Sequence, residues 1–337
     1  MTSPAAEVTA AQADAAQAAA EAMARAAGVR IAALRELGEL AAACALLDRI
    51  WVPGPGGQSP LHLELARALA KAGNYLSGAY DLTTGELIGA CMGFFGPPAR
   101  GCLHSHVTGV LPPGLGRGVG LALKVHQRAW CLREGASEIQ WTFDPLIRRN
   151  AYFNLVKVGA RPVEYLPDFY GAMNDVINGA TETDRLLLSW DLRSGPATDA
   201  AAGRLAPASA AAELARGAVI ALDVGCGQEP RPVPCDDAWT REPAGTAAPA
   251  VLVGVPADIE GMRASDPALA AAWRAALRDA LAPLLAAGAR VAGFDRDGWY
   301  VLTQGQGQGQ GGPAGEQGGE RAAGAIFRPA RPGVPPP

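Results

Sequence analysis

The sequence predicts an α/β protein, a larger α/β unit followed by a smaller one, and three observations carry that reading. Strand-like and helix-like periodicities alternate along the middle of the chain. Three apolar, strand-like segments follow one another with turn residues between them. A glycine-rich turn then joins the third of these to an apolar helix, and chemistry is expected at that turn.

Taken in order, residues 1–28 are rich in alanine and hold no large apolar anchor. Helix propensity with nothing to bury predicts a frayed or disordered extension. Residues 29–34 read as a strand, 38–51 as an apolar helix stopped by Pro53-Gly54-Pro55-Gly56-Gly57, and 61–72 as a second helix. The three strands are 75–80, 87–95 and 103–110, with turns at Thr83-Thr84-Gly85 and Gly96-Pro97-Pro98. A helix over 117–134 repeats Leu121, Val125, Ala129 and Leu132 at helical spacing, and Gly135 stands where a C-terminal cap belongs.

Residues 138–143 alternate, with Ile139, Trp141 and Phe143 on one face, until Asp144-Pro145 breaks the strand. A short helix over 150–158 ends at Gly159, and strands 161–164 and 185–191 close a unit spanning 29–193. Small residues and proline over 194–216 predict a linker. The second unit, 217–303, opens with strands 218–224 and 250–255. Its helix has Asp266 as N-cap, Pro267 at the first position, and Leu269, Trp273, Leu277, Leu281 and Leu284 in one stripe. A hairpin over 291–302 turns at Gly298, and the Gly/Gln/Pro-rich residues 304–337 are expected to be disordered.

Composition narrows the function classes. The 337 residues carry a formal charge of −4 with no long basic stretch, so neither nucleic acid nor an anionic membrane is expected as a partner. No apolar run approaches the roughly 20 residues that span a bilayer, and the N-terminal residues lack the pattern of a secretory signal. The six cysteines form no CxxC pair, so neither a zinc site nor a disulfide framework is expected, and no metal. The expected compartment is the cytoplasm.

The informative segment is 107–123: a strand, then Pro112-Pro113-Gly114-Leu115-Gly116-Arg117-Gly118-Val119-Gly120, then a helix. A strand entering a glycine-rich turn at a helix N-terminus presents free backbone N–H groups to an anion. Glycines let the chain approach closely, and Arg117 can add contacts to phosphate. The spacing departs from the dinucleotide-binding GxGxxG, since Leu121 stands where its third glycine falls, and no Gly-Lys-Ser/Thr tripeptide of a P-loop occurs. Leu222-Asp223-Val224-Gly225-Cys226-Gly227 resembles the first motif of S-adenosylmethionine-dependent methyltransferases. The proline-rich residues 228–234 that follow cannot form the helix that motif requires.

On these residues the sequence resembles the GNAT superfamily of acyl-CoA acyltransferases, whose pyrophosphate loop reads Arg/Gln-x-x-Gly-x-Gly/Ala. Gly118 and Gly120 match the last two fixed positions, while Leu115 replaces the first. The element order of residues 29–191 agrees with that fold. The segments around His104-Ser105-His106, Trp141-Thr142-Phe143-Asp144-Pro145, Asn150-Ala151-Tyr152-Phe153-Asn154, Asp168-Phe169-Tyr170-Gly171, Trp273-Arg274 and Gly298-Trp299-Tyr300 resemble a bacterial acetyltransferase group. The resemblance implies a mixed, mostly antiparallel twisted sheet flanked by helices. It also implies transfer of an acyl group, acetyl or a larger one such as succinyl, from acyl-CoA as co-substrate to the amine of a small molecule or amino acid. The alternative is a non-catalytic acyl-CoA-binding or sensing protein.

Within that resemblance Val110, Leu115, Gly116, Arg117, Gly118, Val119 and Gly120 are the cofactor-binding candidates, with Asn150 and Asn154, one helical turn apart, as further amides. Asn150 serves equally well as a cap. Strand alternation puts His104, His106 and Thr108 on one face before the turn. His106, or failing that His104, is the candidate base, with a half-buried structural histidine as the alternative. The tyrosine usual four residues before the helix-ending glycine is replaced by Leu155. Tyr152 is then the candidate acid, with Tyr165 and Tyr170 behind it and core packing as the alternative. Asp144 is either a ligand carboxylate or a turn residue. Arg274 and Arg278 read as a solvated basic face, or as partners of a carboxylate or of the CoA phosphates. The second unit is expected to cover the acceptor pocket or to extend the sheet.

Overall fold

The computed structural model describes residues 8–51, 59–97, 100–171, 182–233 and 249–305. In chain order the first part is α1 (Ala10–Ala26), β1 (Val29–Ala33), α2 (Leu37–Trp51), α3 (Leu63–Lys71), β2 (Tyr75–Asp81), β3 (Leu87–Phe95), β4 (Cys102–Val110) and α4 (Val119–Arg133). There follow β5 (Glu138–Phe143), α5 (Arg148–Tyr152), a π-helical turn (Phe153–Val158), β6 (Arg161–Leu166) and β7 (Arg185–Asp191). The rest comprises α6 (Gly195–Ala201), α7 (Ala210–Ala215), β8 (Val219–Val224), β9 (Pro230–Pro232), β10 (Val251–Gly254), α8 (Ile259–Ser265), α9 (Pro267–Ala286), β11 (Ala289–Phe294) and β12 (Trp299–Gln304).

Seven strands form one sheet in the order β1-β2-β3-β4-β5-β7-β6. Every neighbouring pair is antiparallel except β4 and β5, which are joined through α4, the crossover that a parallel pair needs. One face buries Leu40, Leu46 and Leu47 of α2 against Leu76, Met92 and Val107. The other buries α4, through Val119, Ala122, Leu123, Val125 and Ala129, against Cys91, Leu103, Ile139 and Trp141. The sheet is mixed and mostly antiparallel with helices on both faces, as the resemblance implies.

The N-terminal residues differ from the expectation of a frayed extension. Ala10–Ala26 is a helix with a Thr9–Gln12 capping box, and Ala16 and Ala20 are buried against α4. Alanines have no bulk to anchor a helix, but for the same reason they let one helix lie close on another. Gln17 Oε1 accepts from Arg133 at the end of α4 at 3.0 Å. The stretch expected as a linker likewise contains α6 and α7, capped by Ser194 and Ser209, with Ala197 and Ala200 buried. The tail expected to be disordered lies, beyond Gly305, outside the described residues.

The C-terminal part does not extend the first sheet. It forms its own five-stranded sheet, β11-β12-β10-β8-β9, in which β10 and β8 are parallel and the other pairs antiparallel. The helix α9 has the predicted cap, Leu269 N–H donating to Asp266, and buries Trp273, Leu277, Leu281 and Leu284. Trp273 Nε1–H donates to the Gln228 carbonyl at 2.7 Å, so the residue that follows the segment resembling a methyltransferase motif receives α9.

The two sheets are joined by buried charge. Asp144, at the end of β5, accepts two hydrogen bonds from Arg274 at 2.8 and 2.7 Å and pairs with Arg263, with Arg185 at 4.0 Å. Arg274 is therefore buried rather than solvated, and Asp144 is an internal ion-pair partner rather than a free turn residue. Burial by itself would raise the Asp144 carboxyl. The Arg274 hydrogen bonds and the charges of Arg274, Arg263 and Arg185 outweigh it and hold the group at about 2. A second link runs from Arg278 to Asp184 and Glu182, with the Tyr165 hydroxyl donating to Asp184 at 2.7 Å. Tyr300 completes the seam, donating its hydroxyl to the Pro145 carbonyl at 2.8 Å.

Removing one partner of such a pair leaves an uncompensated buried charge. Arg274→Met is expected to lower stability by about 3–5 kcal/mol in denaturant unfolding. Because the Asp144 carboxyl titrates lower in the folded than in the unfolded chain, its contribution is complete above the ordinary carboxylate range. It is lost as pH falls toward about 2, so Asp144→Asn should flatten that part of the acid-unfolding curve.

Candidate active site

The site begins where a ladder stops. β4 and β5 pair only through Cys102–Glu138, Leu103–Ile139 and His104–Gln140. From Ser105 on β4 and Trp141 on β5 the facing edges have no ladder partner among the described residues, although β3 still flanks β4 and β7 flanks β5. Two strand edges therefore present backbone N–H and C=O groups to a gap that opens from His104–Gln140 toward the glycine-rich turn. Gly109 lets α2 lie on this part of β4: a Cβ there would come within 2.7–2.9 Å of Ile50, Trp51 and Leu47.

A bulge in β4 arranges the side chains at that gap. The register with β3 slips between the Met92–Val107 and Gly93–Ser105 pairs, so His106 is the extra residue. His104 and His106 end up near each other, with ring centroids 6.2 Å apart and Phe94 at 5.2 and 6.0 Å. Thr108 does not join them, contrary to simple alternation. Its Oγ1 is 3.1 Å from the thiol of Cys91, in the core on the α4 face. The inserted residue flips the alternation beyond it.

The two histidines differ in setting. His106 is exposed and its Nε2 lies 3.1 Å from the Pro60 carbonyl. A carbonyl only accepts, so Nε2 carries a proton, and in the neutral ring the lone pair is then on Nδ1. His104 is half-buried; burial, then the neighbouring His106 and Lys124, push its imidazole down to about 4, so it is neutral at neutral pH.

At the far end of the gap, Pro112–Gly114 forms a 3₁₀ turn, Leu115 is exposed, and Gly116 and Gly118 take φ values of 76° and 88° on either side of Arg117. Gly118 is the N-cap of α4, and the first intrahelical bond is Ala122 N–H to the Gly118 carbonyl at 2.9 Å. The N–H groups of Val119, Gly120 and Leu121 therefore have no acceptor within the helix. Gly120 lies beside Val110, the last residue of β4. The Val119 side chain is fully buried, which leaves only its backbone for a ligand.

Arg117 points elsewhere. Its guanidinium pairs with Asp81 at 2.6 Å and donates to the carbonyls of Pro113, Ala27 and Gly28. It ties the turn to the ends of α1 and β2, and its side chain is engaged there rather than directed to an anion.

The remaining candidates separate. Tyr152 lies between the cationic groups of Arg296 and Lys157, 5.2 and 6.0 Å from its ring centroid, and no hydrogen bond or ring contact joins it to either histidine among the described residues. Tyr165 is buried, and burial and Asp184 keep its phenol protonated. Tyr170, half-exposed, has its hydroxyl 3.0 Å from Thr142 Oγ1 on β5. Thr142 shares a strand face with Gln140, the partner of His104, and the Tyr170 ring centroid also lies 5.3 Å from the Arg185 guanidinium on β7. Asn154 is buried, accepts from Trp141 Nε1–H at 3.2 Å, and thereby supports β5. Asn150 stays half-buried on α5, and the π-helical turn after Tyr152 breaks the one-face relation expected for the two amides.

A residue that the sequence did not single out also lies here. Lys124 on α4 is buried; its ammonium donates to Ser105 Oγ at 2.8 Å and stands 3.9 Å from the Trp141 ring centroid. Its only signal in the sequence is a lysine between Leu123 and Val125, inside an apolar helix. Separately, a cavity of about 510 Å³ lies between α4, β1 and β2, where the Tyr75 hydroxyl meets His126 Nδ1 at 2.8 Å; none of the sequence-predicted site residues lines it.

Among the described residues no group of His, Cys, Asp and Glu is arranged to hold a metal, the five described cysteines are free, and no helix is long and apolar enough to cross a membrane. Cys235 lies outside the described residues. An alanine at Gly120 meets only ordinary contacts at 3.7–3.9 Å, whereas Gly118 sits at positive φ. Thermal unfolding should therefore show Gly120→Ala unchanged or more stable by up to about 1 kcal/mol, and Gly118→Ala less stable by about 1 kcal/mol.

No family model matches the sequence, and no curated protein matches it. Solved structures do match half of the chain. The ribosomal-protein-S18-alanine N-acetyltransferase from Escherichia coli is 12% identical, covering 50% of this chain and 96% of its own, with a TM-score of 0.40. The ribosomal-protein-S5-alanine acetyltransferase from Vibrio fischeri is 15% identical over 50% of this chain and 94% of its own, also at 0.40. Arabidopsis thaliana Naa50, in complex with the bisubstrate analogue CoA-Ac-MVNAL, is 19% identical over 48% and 98%, at 0.38. In architecture the chain is a mixed α/β protein that resembles GNAT-type N-acyltransferases over about half its length and adds a second sheet of its own.

Proposed function

We propose that the chain is an acyl-CoA-dependent N-acyltransferase that moves an acyl group to the amine of a small molecule or amino acid by direct attack. The observation that carries this reading is the gap between β4 and β5. It has free strand edges along its length, the α4 N-terminus at its open end and two histidines near its closed end. An extended pantetheine arm can hydrogen-bond to strand edges as a further strand would. The pyrophosphate would accept from the N–H groups of residues 116–121, aided by the positive end of α4.

In this reading His106 Nδ1, or failing that a water held by His104, takes the proton from the incoming ammonium, while Pro60 fixes the ring through Nε2. The amine nitrogen forms its bond to the thioester carbonyl carbon, and backbone N–H groups at the β4 bulge receive the developing oxyanion. The C–S bond then breaks with its electron pair on sulfur, and the Tyr170 hydroxyl returns a proton to the thiolate. The second proton of the former ammonium passes to the Tyr170 oxygen as the amide forms, so the amide, free CoA and the one proton held at His106 balance the reaction. In this reading Tyr170 takes the role expected of Tyr152, because among the described residues its hydroxyl is the phenol that meets a β5 side chain, Thr142.

The second reading, an acyl-CoA-binding protein without turnover, is favoured by Leu155, which is buried in the core where a catalytic tyrosine is usual. A melt tests the acyl-CoA binding that both readings share, and turnover separates them. Acyl-CoA at about 100 times its Kd should stabilise the wild type by about 2.7 kcal/mol but not Gly118→Asp. If no CoA species shifts the melt, acyl-CoA binding itself is wrong. With an amine panel and thiol release as the readout, His106→Ala should lose about 10²-fold or more in turnover, Tyr170→Phe should lose turnover as well, and Tyr152→Phe should keep it. Full turnover by both His106→Ala and His104→Ala would remove the histidines from the chemistry.

A further inference from the structure

We infer that Lys124 forms an anion subsite at the closed end of the gap, which selects acyl-CoA thioesters whose acyl chain ends in a carboxylate, such as succinyl-CoA, over acetyl-CoA. The inference rests on the acyl-CoA reading above and specifies the substrate class of that site.

Position is the first argument. Ser105 and Trp141 are the first residues of β4 and β5 beyond their last ladder pair. The Lys124 ammonium touches both, donating to Ser105 Oγ at 2.8 Å and lying over the Trp141 ring at 3.9 Å. It therefore stands at the apex where the strands part, on the α4 face. The imidazoles of His104 and His106 gather with Phe94, which packs with the α2-side core. An amine attacks a thioester carbonyl roughly perpendicular to the thioester plane, so an amine on the histidine side leaves the α4 side of that plane free for the acyl chain to bend toward Lys124.

Charge is the second argument. Lys124 is 3% exposed, and among the described residues no carboxylate lies within ion-pairing distance of it. Its partners, Ser105, Gln127 and the face of Trp141, are all neutral. Buried lysines ordinarily pair with a carboxylate or lose their charge. Burial lowers this ammonium to about 8, so it remains mainly charged at neutral pH. Next to it Gln127 is fully buried, with Nε2 lacking any hydrogen-bond partner. This corner of the fold thus holds one positive charge and a surplus donor but no acid. A carboxylate is the group that would balance both, and the two methylenes of a succinyl chain would carry one from the thioester to this apex.

The test compares acetyl-, butyryl- and succinyl-CoA by calorimetry on the full chain, butyryl being the neutral analogue of the same chain length. The wild type is expected to bind succinyl-CoA at least tenfold more tightly than butyryl-CoA. Lys124→Met should remove that preference while retaining affinity for acetyl-CoA, and Ser105→Ala, a milder change beside the ammonium, should reduce it. Equal wild-type affinities for the three thioesters overturn the inference whether or not the Lys124 variant folds, and so does a succinyl preference that survives in Lys124→Met. Absence of binding by any CoA species, free CoA included, would instead overturn the acyl-CoA reading, and the subsite with it.

Discussion

Beyond the His104–Gln140 pair, β4 and β5 share no ladder, yet each remains fixed by the strand on its other side. Unpaired strand edges within a sheet are costly unless something satisfies them, so the split must be imposed by the surrounding structure. The β4 bulge at His106 turns one edge, and the buried Asp144 cluster fixes the end of the other. Between them, α4 carries its N-terminus to the open end and Lys124 to the closed one.

The second sheet is best understood through this split. Its arginines Arg263 and Arg274 neutralise Asp144 at the end of β5, and Tyr300 holds the following Pro145 carbonyl. These contacts clamp the strand that has lost its neighbour on one side. The C-terminal unit thus contributes rigidity to the gap from behind, and among the described residues it supplies no side chain to the two histidines. Arg117 does similar work at the other end: its pair with Asp81 and its bonds to the Ala27 and Gly28 carbonyls hold the glycine turn to the α1–β1 junction.

Much of the fold was legible because local patterns decided it. The strand-like segments became β2 to β5 and β7 with nearly the predicted bounds, and the Asp266-Pro267 start and the Leu269-to-Leu284 stripe became α9. Helix α1 was missed because its burial depends on the alanine surface of a helix distant in sequence, which no window of residues 10–26 contains. Thr108 was assigned to the wrong face because a bulge is a property of two strands in register. Of the two readings of Arg274, the carboxylate partner is the one realised, and the sequence leaves its identity open because Asp144 is 130 residues away.

For the site, the sequence by itself determined the chemistry-bearing types and their order: two histidines on a strand, a glycine-rich turn, and a helix whose first N–H groups are free. Those follow from spacing alone. Only the tertiary structure decided which groups meet. It brought Tyr170 rather than Tyr152 to a β5 side chain, turned Arg117 toward Asp81 and set Lys124 against Ser105 and Trp141. The physical reason is that side-chain partnership depends on strand register, bulges and interhelical contact, and those arise from segments far apart in the chain.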